Sequence, residues 1–240
     1  MTRASPFTPD GRLPEGDDKA RAVRAMVDAI APRSDLVNRI MTFRLDVRWR
    51  RRAVRSLALA PRSIVVDLAC GTGDLCRELS KQGGRAVGAD VSLGMLRNAR
   101  TDAPLVQADA LRLPLPDASV DGATCGFALR NFTDLAGFVD ELGRVVRPGG
   151  RIALLEVAEP PNRLLRWGHA LYFGRIVPRI GGLLSDRDAY RYLPQSVAYL
   201  PEAEALLAII RKAGFGDAER QLLSGGIAQL LTGTRDRADA

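Results

Sequence analysis

Three features of the amino-acid sequence predict an α/β fold built on a mostly parallel sheet. Between residues 63 and 157, short apolar runs alternate with segments of helical spacing, the signature of βαβ units. The first run opens straight into a glycine turn, in Val65-Val66-Asp67-Leu68-Ala69-Cys70-Gly71-Thr72-Gly73-Asp74. Acidic residues then recur where successive strands end, at Asp67, Asp90 and Asp109, along the edge of an open sheet where ligands bind.

The elements follow in chain order. Residues 1–18 are rich in Pro, Gly, Asp and Thr and are expected to form a disordered lead. Residues 19–60 should form a helical cap. Val23, Met26, Val27 and Ile30, then Leu36, Val37 and Ile40, recur at helical spacing, and an Arg-dense helix runs from Asp46 to Leu59. Strands are expected at 63–68, 85–89, 104–107, 119–125 and 150–157, with helices near 73–82, 92–101 and 134–146. Arg147-Pro148-Gly149-Gly150 stops the last of these helices and turns into the fifth strand.

Residues 161–199 break the alternation. They hold Trp167, the single histidine His169, and Tyr172, Tyr190, Tyr192 and Tyr199, and read as a helical insertion lying over the sheet. A helix at 201–213 and strand-like stretches at 217–223 and 226–232 bring the strands to seven and close a domain spanning 61–232. Residues 233–240 form a polar tail.

Composition narrows the function. At 240 residues and 46% hydrophobic content, one sizeable domain is expected. The net charge of +7 comes almost wholly from arginine, since Lys19, Lys81 and Lys212 are the only lysines. Charge alone therefore gives no case for nucleic-acid binding, although a basic surface suits anionic lipid. Cys70, Cys76 and Cys125 show neither CxxC spacing nor a disulfide framework, so a reducing cytoplasm is expected. No run approaches the roughly 18 consecutive apolar residues that span a bilayer, and no secretory leader is apparent.

The glycine turn suggests the ligand. Glycine accepts positive φ and lets backbone approach closely, and the following helix offers unpaired N–H groups. A dinucleotide site wants G-x-G-x-x-G. Here Gly71-Thr72-Gly73-Asp74-Leu75-Cys76 lacks the third glycine, and Asp74 sets negative charge where a diphosphate would lie. Acids around such a turn suit a ligand with a cationic amino-acid end and no phosphate, which describes S-adenosylmethionine (SAM). Asp90 can then accept from ribose hydroxyls, and Asp109-Ala110 can meet the adenine.

Longer stretches narrow the reading further. DLACGTGDL, GADVSLGMLRNAR, ADALRLPLPDASVD, GFALRNFTD and RVVRPGGRIALLEVAEP resemble the ubiquinone/menaquinone C-methyltransferase family (UbiE/MenG type). IAPRSDLVNRIMTFRLDVRWRRRAV is similar to that family's leader, and IVPRIGGLLSDRDAYRYLPQSVAYLP to its insertion. The likeness runs from residue 27 to about 230. It implies a Rossmann-like class I SAM methyltransferase with a seven-stranded, mostly parallel sheet. It also implies methyl transfer to a ring carbon of a polyprenylated quinol, without a metal.

By the same resemblance Thr72, Asp90, Asp109, Ala110 and Gly126 contact SAM, joined by Asp67, Gly71 and Gly73 of the turn, and Arg130 and Asn131, which follow the fourth strand on the acceptor side, are the catalytic candidates. Arg130 would stabilise a developing phenolate; its alternative is a structural ion pair with Asp134. His169 is a base by residue type, though packing or solvent exposure is the simpler expectation. Glu156 either faces the acceptor or forms an ion pair. Trp49, with Arg48, Arg50, Arg51, Arg52 and Arg55, reads either as a membrane-surface element or as a solvated helix with one core anchor. Tyr190, Tyr192 and Leu193 either line a prenyl tunnel or pack the insertion.

The sequence departs from the family at Ser34, where a tyrosine is usual, at Arg44 (glycine), Gly126 (serine) and Leu231 (histidine). Three readings therefore stand: a quinol C-methyltransferase, a methyltransferase of a soluble aromatic metabolite, and a nucleotide-binding module without catalysis. The first expects a lipid quinol as partner, transient contact with the inner face of the membrane and no nucleic acid, with homodimerisation left open.

Overall fold

The computed structural model describes residues 15–177, 179, 192 and 195–237. Three helices come first: α1 (Gly16–Ile30), α2 (Ser34–Met41) and α3 (Leu45–Ser56). Helix α1 thus begins inside the stretch expected to be disordered. Asp17 and Asp18 occupy its first turn, where they meet the positive end of the helix dipole.

The sheet begins with β1 (Ile64–Leu68), followed by α4 (Asp74–Lys81), β2 (Arg85–Asp90), α5 (Leu93–Arg97) and β3 (Leu105–Gln107). Next come β4 (Val120–Gly126), α6 (Leu135–Val145) and β5 (Val146–Val157). After α7 (Arg163–Leu171), the chain closes with α8 (Ala203–Lys212), β6 (Glu219–Leu223) and β7 (Ala228–Thr234).

The seven strands stand in the order β3-β2-β1-β4-β5-β7-β6. Those from β3 to β5 pair in parallel, whereas β7 runs antiparallel to both its neighbours. The expected turn at 147–150 lies within β5, as an irregularity between the Val120↔Val146 and Gly122↔Arg151 pairs.

Alternation along the strands divides the core. Val65, Ala153 and Leu155 pack with Trp49, Val54, Leu75 and Leu79 of α3 and α4 on one face. Val66, Leu68 and Leu154 pack with Phe138 and Leu142 of α6 and Leu206 and Ile210 of α8 on the other. A third, smaller cluster joins Met26, Val37 and Met41 of the N-terminal helices to Val177 and Tyr192 of the insertion. The order in which strands are added reverses between β1 and β4, and the carboxyl ends of β1, β2 and β4 open onto one cavity.

Candidate active site

The cavity has a volume of about 750 Å³. Asp67, Gly71, Thr72, Asp90, Asp109, Ala110, Gly126, Arg130 and Asn131 all line it. Gly73 does not; its part is steric. It sits at φ +82° ahead of α4, and a Cβ there would lie 2.6 Å from Thr101 Cγ2. The chain also turns left-handed at Ala69 (φ 50°) and Phe127 (φ 61°), two cavity residues that follow β1 and β4. Such strain clusters at binding sites.

Each acid has a distinct setting. Asp67 is fully buried beneath the turn. Thr124, its register partner on β4, donates to Oδ1 at 2.7 Å, and Cys76 Sγ lies 3.5 Å from Oδ2. Burial raises the Asp67 pKa to about 7. Asp90 accepts from the Gly71 amide on one oxygen and the Ser92 amide on the other, each at 2.8 Å. Burial again raises its pKa, and those amide bonds oppose the rise. Asp109 is exposed at the rim and accepts from the Leu111 amide at 2.9 Å.

The N-terminal helices complete the site through Asp28, Asp35 and Lys19, residues that sequence reasoning did not single out. Asp35 of α2 is only 8% exposed and accepts from the Thr72 hydroxyl through Oδ1. Its Oδ2 has no hydrogen-bond partner, and Arg77 Nη2 stands 3.8 Å away. Asp28 of α1 accepts from the Ser92 hydroxyl and from the Gly94 amide at 3.1 Å. Lys19 is buried, donates to the Phe132 carbonyl at 2.9 Å and lies 3.7 Å from the Tyr199 ring centre. Burial lowers its pKa to about 8. Of these three residues only Asp35 lies in the leader-like stretch IAPRSDLVNRIMTFRLDVRWRRRAV. Thr72 lies 37 residues beyond Asp35, and Ser92 64 beyond Asp28.

Two sequence expectations change. Asp74 carries no unbalanced charge, because Arg39, Arg50 and Arg77 all converge on it. The case against a diphosphate therefore rests on the missing third glycine and on Asp67 and Asp90. Arg130 forms its ion pair with Glu156, not Asp134; Asp134 instead caps α6 by accepting from the Gly137 amide at 2.8 Å. The Arg130 guanidinium also donates to the Phe127 carbonyl at 2.7 Å and the Ser196 hydroxyl at 3.0 Å. Glu156 is fully buried in that pair.

Beside Arg130, in the 3₁₀ turn Leu129–Asn131, the Asn131 Oδ1 atom is buried without a hydrogen-bond partner. Trp49 is a core anchor: it is buried, donates to Ser224 Oγ at 2.9 Å and rests against Phe127. Arg48, Arg51, Arg52 and Arg55 form the exposed face of its helix.

The cavity also has an apolar lining. Val23, Met26, Val27 and Ile30 of α1, Phe132, Phe173 and Tyr192 form it, with His169 among them. The His169 ring lies 4.3 Å from that of Phe173, tilted by 33°, and burial lowers its pKa. It thus lines the cavity rather than serving only as packing. Tyr190 and Leu193, the other candidates for this wall, lie outside the described residues. Of the departures, Ser34 lines the cavity, and a Cβ on Gly126 would lie 2.9 Å from Leu75 Cδ1. Leu231 is buried in β7, away from the cavity. Among the described residues no group of three His, Cys, Asp or Glu is placed to hold a metal, and no helix is long and apolar enough to cross a membrane.

Comparison with known proteins adds the family. The model of the ubiE/COQ5 methyltransferase family matches residues 15–235. A demethylmenaquinone methyltransferase of Thermus thermophilus is 44% identical over 88% of this chain and 100% of its own. One from Deinococcus radiodurans is 43% identical over 95% of this chain and 100% of its own. A Haloferax volcanii complex, of the Trm112 methyltransferase activator with a putative methyltransferase, contains a chain of the same fold. Its TM-score is 0.66 at 18% identity, over 88% of this chain and 98% of that one.

Proposed function

Because the chain belongs to the ubiE/COQ5 methyltransferase family, we propose that it moves a methyl group from SAM to a ring carbon of a polyprenylated quinol of the demethylmenaquinol type, in menaquinone or ubiquinone biosynthesis. Relatives above 40% identity bear demethylmenaquinone and ubiquinone/menaquinone methyltransferase names. The observation that carries the proposal is the mixed lining of one cavity. An acid-ringed glycine turn and an apolar chamber share one space of about 750 Å³, within the range of sites that enclose small organic ligands.

The residues fit SAM. Asp35 Oδ2 is a buried acceptor without a hydrogen-bond partner beside the glycine turn, suited to an ammonium group. Asp90 faces the ribose position and Asp109-Ala110 the adenine position. When bound, SAM supplies an electrophilic methyl on a sulfonium. The protein must then hold the acceptor carbon in line, take up a hydroxyl proton, let the methylated ring carbon lose its own proton as the hydroxyl is re-formed, and exclude water.

Asn131 Oδ1 accepts a hydrogen bond from the acceptor hydroxyl. Arg130, whose Nε and Nη1 are held by Ser196, Phe127 and Glu156, fixes the turn carrying Asn131. His169 takes the proton, since burial keeps its imidazole neutral near pH 7. A lipid-tailed acceptor brings the enzyme into transient contact with the cytoplasmic face of the membrane.

Purified protein with methyl-labelled SAM and a short-tailed demethylmenaquinone, with and without dithionite, tests the reading. Label in the quinone ring under reducing conditions alone is the expected result. Retained SAM binding with no transfer would shift the acceptor to a soluble aromatic compound.

A further inference from the structure

Helix α7 has two working faces. Arg166, His169 and Ala170, followed one turn on by Phe173, line the cavity; they recur at the i, i+3, i+4, i+7 spacing of one helical face. Leu164, Trp167 and Leu171 recur at i, i+3, i+7 on the opposite side and are 75%, 67% and 37% exposed. No residue of α7 is buried. Phe43, 75% exposed, extends this surface: its ring lies 5.7 Å from that of Tyr172, whose hydroxyl donates to the Met41 carbonyl at 2.8 Å.

A lone exposed leucine is ordinary, but a tryptophan, two leucines and a phenylalanine facing outward from one corner are not. The charge around them is mainly cationic. From Glu159 to Val177 the chain carries Arg163, Arg166 and Arg175 against one acid, Glu159, with Arg166 on the cavity side. An apolar face with a tryptophan and flanking arginines is what an interfacial helix presents to anionic lipid. A second copy of the chain fits poorly, because two-fold pairing would set each cationic rim against its own image.

We propose that α7 docks the protein on an anionic bilayer, its Leu164–Trp167–Leu171 face seated among the headgroups while its inner face lines the cavity. The proposal deepens the quinol reading and rests on it. An acceptor whose tail lies in lipid then needs only to pass around one helix, without leaving apolar surroundings.

The test uses full-length protein with phosphatidylcholine vesicles, pure or doped with phosphatidylglycerol, carrying brominated acyl chains. Wild type is expected to sediment with the doped vesicles, and its emission to be quenched through Trp167, because Trp49 is buried. Leu164→Ser/Trp167→Ser should weaken that partitioning by about tenfold or more, while turnover of a water-soluble, short-tailed quinol stays at the wild-type level. Absence of wild-type binding overturns the proposal, as does binding that the double variant retains. A lipid-free wild-type dimer that the double variant cannot form would also overturn it, by assigning the face to a second copy. Vesicle binding without methylation of the short-tailed quinol would leave the docking face standing and remove the quinol reading instead.

Discussion

Arg130 and Glu156 form a buried ion pair that knots four segments together. The guanidinium reaches the β5 carboxylate, the Phe127 carbonyl after β4 and the Ser196 hydroxyl of the insertion, and Glu156 Oε2 also accepts from the Arg130 amide at 3.2 Å. Removing one partner strands the other as a buried charge. Arg130→Ala and Glu156→Ala should each lower unfolding free energy by about 3–5 kcal/mol, and Arg130→Met/Glu156→Met by far less. Chemical denaturation of the three variants measures this. A double-variant loss equal to the sum of the two single losses would mean that no such coupling exists.

Asp35 is expected to act on one end of SAM only. Asp35→Asn should weaken binding of SAM and of its demethylated product by about ten- to hundredfold. Affinity for 5′-methylthioadenosine, which lacks the amino-acid end, should change little. Isothermal titration with the three ligands separates this from a general loosening of the cap, which would weaken all of them alike.

Asp67 predicts a pH dependence with a definite sign. Its pKa is raised from 3.8 to about 7 by burial, so in that window the folded chain keeps a proton that the unfolded chain has released. The stabilisation is complete below the ordinary carboxylate value and is lost as pH climbs to about 7. Thermal melts of wild type should therefore fall across the window relative to Asp67→Asn, whose residue 67 does not titrate. Parallel curves would show that the carboxyl ionises normally.

If His169 takes the hydroxyl proton, His169→Gln should reduce kcat by roughly a hundredfold with little change in KM for SAM. The acid limb of the wild-type rate profile should lie below pH 6.5, since burial depresses the imidazole pKa, and should vanish in the variant. A surviving limb would assign the proton to another group.

Much of this architecture could be read locally. The strand and helix alternation rests on periodicity within each segment, and the structure keeps it from β1 to β7. The sheet-end acids could be read for the same reason: strand ends and a glycine turn are local events. What escaped was set by distance along the chain. Thr72 meets Asp35 across 37 residues and Ser92 meets Asp28 across 64, and no periodicity encodes such a pairing. Arg130 had an acid four residues away in Asp134 and another across the sheet in Glu156. The β4–β5 register, with Gly126 opposite Leu155, brings Glu156 close, while helix capping claims Asp134. Arg44 shows a departure made legible by geometry. The backbone there is left-handed, at φ 62°, which suits the glycine usual at that position.

The grip of the N-terminal helices on the glycine turn carries a consequence for synthesis. Residues 16–56 leave the ribosome before the sheet they clasp. Until Thr72, Arg77 and Ser92 have emerged, Asp28 and Asp35 have none of the partners that order them. The roof of the chamber is thus translated before the walls that hold it.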